Sequence, residues 1–216
     1  MSFTTDIKRE LCRAPFASRC CVRAECYGLL LFAAGFSQSR IRLQSDSAAV
    51  RRRARQLLGK CAGVSFAAAG EKGHTLLLEE PEQVARVFQA FGYEYSSAAL
   101  HLNRAMVEED CCRIAFLRGA FLTGGSCLEP GKGYHLELAT SHYNVARETA
   151  LLLEEMGLPC GFVSRRGNYV LYYKDSSVIE DLIGQMGAGN AAMRIMDQRM
   201  YNDMRNKTNR LSNCET

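Results

Sequence analysis

The sequence predicts an α+β chain made of two copies of one unit that meet at a pair of close-packed helices. Three observations predict it. The first is the stretch 113–126, RIAFLRGAFLTGGS, where Ala115, Gly119 and Thr123 recur at four-residue steps and form one small-residue stripe on a helix. Glycine within a helix costs about 1 kcal/mol relative to alanine, so these glycines call for close approach of another backbone. The second is an internal repeat. Cys20-Cys21 precedes Cys111-Cys112 by 91 residues, and Gly35 precedes Gly125 by 90. GHTLLLEEPEQVARVFQAFG from Gly73 likewise matches GNYVLYYKDSSVIEDLIGQMG from Gly167. The third is the periodicity, which reads helix, strand, helix, hairpin, helix twice over. The helices 24–35 and 113–125 then form a central seam between two pseudo-symmetric halves.

The elements follow in chain order. Thr4 or Thr5 caps a short amphipathic helix from Asp6 to about Arg13, which Pro15 ends. A second helix runs from about Ser18, with Gly35 as its stop. Ser37 to Gln44 alternates, Ile41 and Leu43 on one side and Arg40, Arg42 and Gln44 on the other, as a half-buried strand does. Its shortness predicts that the first unit lacks a full first hairpin. Asp46 or Ser47 caps the helix carrying Arg51, Arg52, Arg53 and Arg55, whose guanidinium groups are read as facing solvent or a partner. Strands at Val64–Ala68 and His74–Glu79 flank a turn at Gly70–Gly73, and Pro81 opens a helix that stops at Gly92. Residues 93–103 form a connection. After the seam helix, Ser126–Leu128 and Tyr134–Thr140 are strands, and Ser141–Met156 is a helix. Cys160–Arg165 and Tyr169–Lys174 form a hairpin, Asp175 or Ser176 caps a helix ending at Gly187, and a polar helix follows from Asn190. The faces of Tyr172 and Lys174 stay open, because their strand is apolar on both sides.

Composition bounds the function. A hydrophobic content of 47% in 216 residues supports one large domain or two small ones. Residues 1–63 carry twelve Lys/Arg against four Asp/Glu, while residues 64–187 carry ten against sixteen. That asymmetry points to a polyanion, nucleic acid first, with a solvated basic face as the alternative. No apolar run approaches the roughly 20 residues of a membrane span, and MSFTTDIKREL is not a secretory signal. The chain therefore reads as cytoplasmic, without a membrane partner, and with its ten cysteines reduced. No C-x-x-C occurs, and His74, His101, His135 and His142 complete no ligand set. The thiols are read as small buried hydrophobes, with no metal or cofactor.

Two αββαββα units meeting at glycine-bearing helices resemble the LAGLIDADG homing-endonuclease fold. LRGAFLTGG, residues 117–125, matches the signature in its two glycine positions; YGLLLFAAG from Tyr27 is looser, with its internal glycine one residue early. The stretches FLRGAFLTGGS (116–126), GYHLEL (133–138) and MRNKTNRLSNCET (204–216), with the opening MSFTTDIKREL and Cys20-Cys21, make the whole chain resemble the WhiA (DUF199) family. That resemblance implies a sporulation and cell-division transcription regulator, associated with the nucleoid. It divides the chain into a first degenerate LAGLIDADG-like unit at 1–103, a second at 104–190, and a helix or linker at 191–216. WhiA proteins also carry a C-terminal helix-turn-helix domain, so the chain is read as the part preceding it.

The resemblance also implies what chemistry is missing. LAGLIDADG nucleases hold divalent metal through an acid near the end of each seam helix, because hard Mg²⁺ takes carboxylate oxygens. Those positions carry Ala34 and Gly124 here, and neither binds metal. No catalytic residue is therefore assigned, and the chain is read as a non-enzyme. In the nucleases the strands form a saddle over DNA. Carried over, the outer strand faces contact DNA through Arg40, Arg42 and Gln44 in the first unit and His135, Glu137, Arg165 and Arg166 in the second. Arginine pairs phosphate or guanine edges bidentately, and the 165–166 hairpin tip suits phosphate. The competing readings are a protein-interaction scaffold contacting a sigma factor or the helix-turn-helix domain, and a residual nuclease.

Overall fold

A computed structural model describes residues 2–65, 71–93 and 99–214, without the side chains of 71–72 and 211–214. The chain begins with α1 (Phe3–Leu11), capped by Ser2 rather than Thr4 or Thr5: the Ser2 hydroxyl accepts from the Thr5 N–H. The cap lies earlier than the sequence suggests because Phe3, Ile7 and Leu11 together supply the buried stripe.

The first unit consists of α2 (Arg19–Leu31), β1 (Gly35–Ser37), β2 (Arg40–Gln44), α3 (Ala48–Ala62), β3 (Glu71–Lys72), β4 (Thr75–Leu78) and α4 (Pro81–Ala90). The second repeats it as α5 (Asp110–Gly124), β5 (Gly125–Cys127), β6 (Leu136–Thr140), α6 (Tyr143–Glu155), β7 (Gly161–Arg165), β8 (Asn168–Tyr173) and α7 (Ser176–Met186). A long helix, α8 (Gly189–Cys214), follows. Each unit is αββαββα, and each holds one antiparallel four-stranded sheet, in the orders β1-β2-β4-β3 and β5-β6-β8-β7.

Three expectations about the first unit are corrected. Its first hairpin is complete, since Gly35, Phe36 and Ser37 pair with Arg42, Ile41 and Arg40. Gly35 therefore opens a strand; the second helix ends at Phe32, and the residues between do not continue it. Val64 and Ser65 are not in a strand, 66–68 lie outside the described residues, and the strand beside β4 is Glu71–Lys72. The turn there is set by Gly73, whose φ of 62° is left-handed.

The seam is α2 against α5. A Cβ on Gly28 would land on the carbonyl oxygen of Phe116, and one on Gly119 would land on that of Glu25. The two glycines thus trade backbone approach reciprocally across the pseudo-twofold. Thr123 Oγ1 donates to the Leu29 carbonyl (2.9 Å) and Thr140 Oγ1 to the Leu31 carbonyl (2.8 Å). Both are last-turn carbonyls of α2 with no partner inside the helix, so the second unit caps the first. Tyr27, Leu29, Leu30, Phe116, Phe121 and Leu122 fill the core around this axis with essentially no exposure.

A buried charge cluster adds a second tie. Glu25 (2% exposed) accepts from both Arg53 of α3 (3% exposed) and Arg118 of α5 (Nη1–Oε2 3.3 Å). Arg53 also donates to the carbonyls of Cys12 and Ala14 and lies over the Phe16 ring at 4.6 Å. Arg53 is thus not solvent-facing as its basic run suggests: a buried carboxylate and two carbonyls take four of its five N–H donors. Where the units join in sequence, the Tyr27 hydroxyl accepts from the Asn103 N–H (2.7 Å) and donates to the His101 carbonyl (3.0 Å). Burial pushes that phenol up to about 12. At the other end Glu10 caps α8, accepting from the N–H groups of Asn190 (2.8 Å) and Ala191 (3.2 Å).

Candidate nucleic-acid interface

α5 runs directly into β5 and residues 32–34 join α2 to β1, so each sheet is anchored to the axis by its first strand. β2 is central in its sheet, and the pleat alternates its side chains. Ile41 and Leu43 are buried; Arg40, Arg42 and Gln44 are exposed on the opposite, outer face. The structure therefore brings the three first-unit candidates together. Arg42 lies between Gly35 and Leu77 in register, and its Nη2 donates to Gln44 Oε1 (3.1 Å). Ser37 braces the hairpin end, its hydroxyl accepting from the Arg40 N–H and donating to the Arg40 carbonyl. Among the described residues no carboxylate pairs with Arg40 or Arg42.

The second sheet collects its candidates differently. In β6, Leu136, Leu138 and Thr140 are buried, leaving Glu137 on the outer face between Ser126 and Tyr172. Glu137 binds Arg165 through both oxygens (3.0 and 2.8 Å) and meets His135 Nε2 at 2.7 Å. His135, Glu137 and Arg165 thus form one hydrogen-bonded cluster centred on the Glu137 carboxylate. Arg166 stands apart at the hairpin tip, exposed and with a φ of 51°. Arginine rarely adopts that region, so the tight β7–β8 turn sets its direction.

Residues missed in the sequence complete this face. Tyr172 lies outward: its ring covers Gly161, where a Cβ would collide with it. His135 stacks on that ring at 5.7 Å and Lys174 Nζ lies 5.5 Å from its centroid. The available signal is Gly161 itself, a side-chain-free position opposite a tyrosine in a hairpin. The positions of the nuclease acids are also plain. Ala34 follows the end of α2 and is exposed. A Cβ on Gly124 would fall on the carbonyl oxygen of Ala139 and within 3.1 Å of Phe32, so backbone occupies the space a carboxylate needs.

Comparison with known proteins bears on the whole chain. The family described as "WhiA LAGLIDADG-like domain" matches residues 113–205. The "Probable cell division protein WhiA" of Ruminiclostridium cellulolyticum is 35% identical over 229 aligned residues, covering 100% of this chain and 73% of the relative. The chain belongs to the WhiA family. The proteins of the same name from Desulforamulus reducens and Bacillus cytotoxicus are each 32% identical, covering all of this chain and 72% of theirs. Two solved structures share the fold. Full-length DUF199/WhiA from "Thermatoga maritima" superposes with a TM-score of 0.68 at 22% identity, covering 99% of this chain and 75% of that one. The N-terminal LAGLIDADG domain of DUF199/WhiA gives 0.63 at 24%, covering 86% and 92%. These relatives carry the name probable cell division protein WhiA, and this chain has the LAGLIDADG-like α+β fold of the family. Among its described residues, no helix is long and apolar enough to cross a membrane.

Proposed function

We propose that this chain is the catalytically inactive, DNA-contacting part of a WhiA-type transcription regulator acting in sporulation, cell division and chromosome segregation. The observation that carries the reading is the outer face of the first sheet. Arg40, Arg42 and Gln44 stand exposed on one strand, spaced two residues apart, and among the described residues no acid pairs with the arginines. A saddle over DNA uses such a face: phosphate takes arginine bidentately, and glutamine suits a base edge. Arg166 adds a phosphate contact from the second unit, and His135, Glu137 and Arg165 line the same saddle as a paired cluster. In this reading residues 1–103 and 104–190 are the two halves of the saddle, and 191–216 leads toward a helix-turn-helix domain. The regulator works in the cytoplasm, on the nucleoid.

Loss of nuclease activity fits the two seam ends. Metal-assisted hydrolysis needs carboxylates there, and Ala34 and Gly124 supply none. Fluorescence anisotropy with a labelled duplex at low salt tests the binding, and plasmid nicking in Mg²⁺ or Mn²⁺ tests the chemistry. Salt-sensitive binding that falls in Arg40→Ala/Arg42→Ala, with no nicking, supports the reading. Binding unchanged in the double variant moves the site elsewhere; metal-dependent nicking refutes inactivity.

A second reading has its own observation. The Glu137 cluster satisfies its own charges, as a face meeting protein does. In that reading the saddle contacts a sigma factor or the helix-turn-helix domain. Capture of either by the intact chain, with no DNA binding at low salt, favours it.

A further inference from the structure

The N-terminal ends of the two seam helices converge, and each begins with a vicinal cysteine pair. Cys20 and Cys21 are the second and third residues of α2; Cys111 and Cys112 are the second and third of α5. Their four Sγ atoms all lie within 4.8 Å of one another. Cys21 and Cys112 are buried, while Cys20 and Cys111 are exposed, unlike the small core residues that the sequence suggests. Cys20 and Cys111 are exposed in the first turns, so solvent reaches the cluster from their side.

We propose that these four cysteines bind one tetrahedral thiophilic divalent metal ion, Zn²⁺ by preference, with two ligands from each unit across the pseudo-twofold axis.

Geometry supports a single ion. A Zn–S bond of about 2.3 Å sets the sulfurs of a tetrahedral site about 3.8 Å apart. Sulfurs already within 4.8 Å reach that spacing through small side-chain rotations. A polynuclear iron–sulfur cluster needs several irons and bridging sulfides between the thiolates, which this spacing does not accommodate. Four soft sulfur ligands select against Mg²⁺ and Ca²⁺, which take oxygen.

The helix ends favour anionic ligands. Both pairs lie in the first turn of a long helix, where unsatisfied N–H groups and the dipole favour negative charge. Two such ends meet here, and together they offset the net −2 of a metal held by four thiolates. Ser18 supplies an outer-shell contact: its hydroxyl lies 2.9 Å from Cys20 Sγ and donates to Cys21 Sγ at 3.1 Å. Each protonated thiol releases its proton to solvent as its Zn–S bond forms. With four protein ligands the site is closed, hence structural. It clasps the seam at the ends remote from β1 and β5.

Vicinal pairs are not the C-x-x-C spacing of single-loop zinc sites. The difference follows from the duplication. One helix presents two adjacent sulfurs, and the pseudo-twofold brings the other two.

Metal titration of the 216-residue chain tests this. The protein is reduced, metal-stripped and kept anaerobic, then titrated with Co²⁺ and with Zn²⁺. One Co²⁺ per chain is expected, with intense thiolate-to-metal charge-transfer bands and tetrahedral ligand-field bands that one equivalent of Zn²⁺ abolishes. Zn²⁺ should also raise Tm. The variant Cys20→Ser/Cys111→Ser removes only exposed sulfurs, so its metal-free Tm should stay put while Co²⁺ binding and the Zn²⁺-dependent rise are lost. Cys160→Ser should bind like the parent. Absence of stoichiometric binding, weak octahedral bands, or full binding by Cys20→Ser/Cys111→Ser overturns the proposal. So does finding Cys20–Cys112 and Cys21–Cys111 disulfides, with no metal, in protein purified from the cytoplasm.

Discussion

The two sheets share one strand order, yet their outer faces are chemical opposites. β2 presents Arg40, Arg42 and Gln44, and among the described residues no carboxylate pairs with the arginines. β6 presents Glu137, already holding Arg165 and His135, beside a Tyr172 ring that His135 and Lys174 flank. The frame is the same because backbone contact sets it: Gly28 and Gly119 each face the opposite helix's carbonyls. The faces differ because outward side chains touch nothing in that frame. The two units thus share one strand order, with arginines on one outer face and a carboxylate-centred cluster on the other. A cation that already has a bidentate carboxylate must give it up before it serves phosphate.

Several substitutions sharpen that contrast, beginning with the shared frame. Glu25→Ala leaves Arg53 and Arg118 without their carboxylate inside the core, and both halves should lose stability together. A loss of about 3–5 kcal/mol is expected in urea unfolding, since removing one partner strands a buried charge. Two separate transitions, with only one half affected, would contradict a common frame. Gly119→Ala drives a methyl into the Glu25 carbonyl and should cost about 3 kcal/mol, beyond ordinary overpacking, because backbone must move. A Tm equal to the parent's would refute the close approach.

The faces come next. Arg40→Ala/Arg42→Ala should weaken duplex binding roughly tenfold near 0.1 M salt, with unchanged stability. Glu137→Gln should act in the opposite direction. It frees Arg165 and removes a negative charge from the face, so binding should tighten about twofold to fivefold in anisotropy titrations. Weaker binding in Glu137→Gln would mean that the carboxylate itself reads a base amino group. Arg165→Ala should change affinity least, because its charge is already compensated.

Much of this was legible in the sequence, for identifiable reasons. The repeat and the small-residue stripe exposed the seam, since helix–helix approach leaves a glycine signature at the contact. Alternation placed Arg40, Arg42 and Gln44 correctly on one face, because β2 is half-buried. The same alternation failed for Tyr172, whose strand is apolar on both sides; only the register opposite Gly161 settles its face. Arg53 escaped because one buried arginine in a basic helix looks like its exposed neighbours, and its partner Glu25 lies 28 residues away. The first hairpin was underestimated because Gly35 resembles a helix stop as much as a strand start. The meeting of Cys20-Cys21 with Cys111-Cys112 was hidden by sequence distance, though the 91-residue repeat placed both pairs at equivalent helix ends.

The most direct test of the unequal faces is the salt dependence of DNA binding, measured as log K against log salt concentration. The parent, Arg40→Ala/Arg42→Ala and Arg165→Ala/Arg166→Ala should be compared on one duplex. Each phosphate contact contributes about 0.9 to the slope. The first double variant should lose nearly two such contributions, and the second no more than one, from Arg166. Equal losses in both variants, or a slope unchanged in Arg40→Ala/Arg42→Ala, would contradict the account.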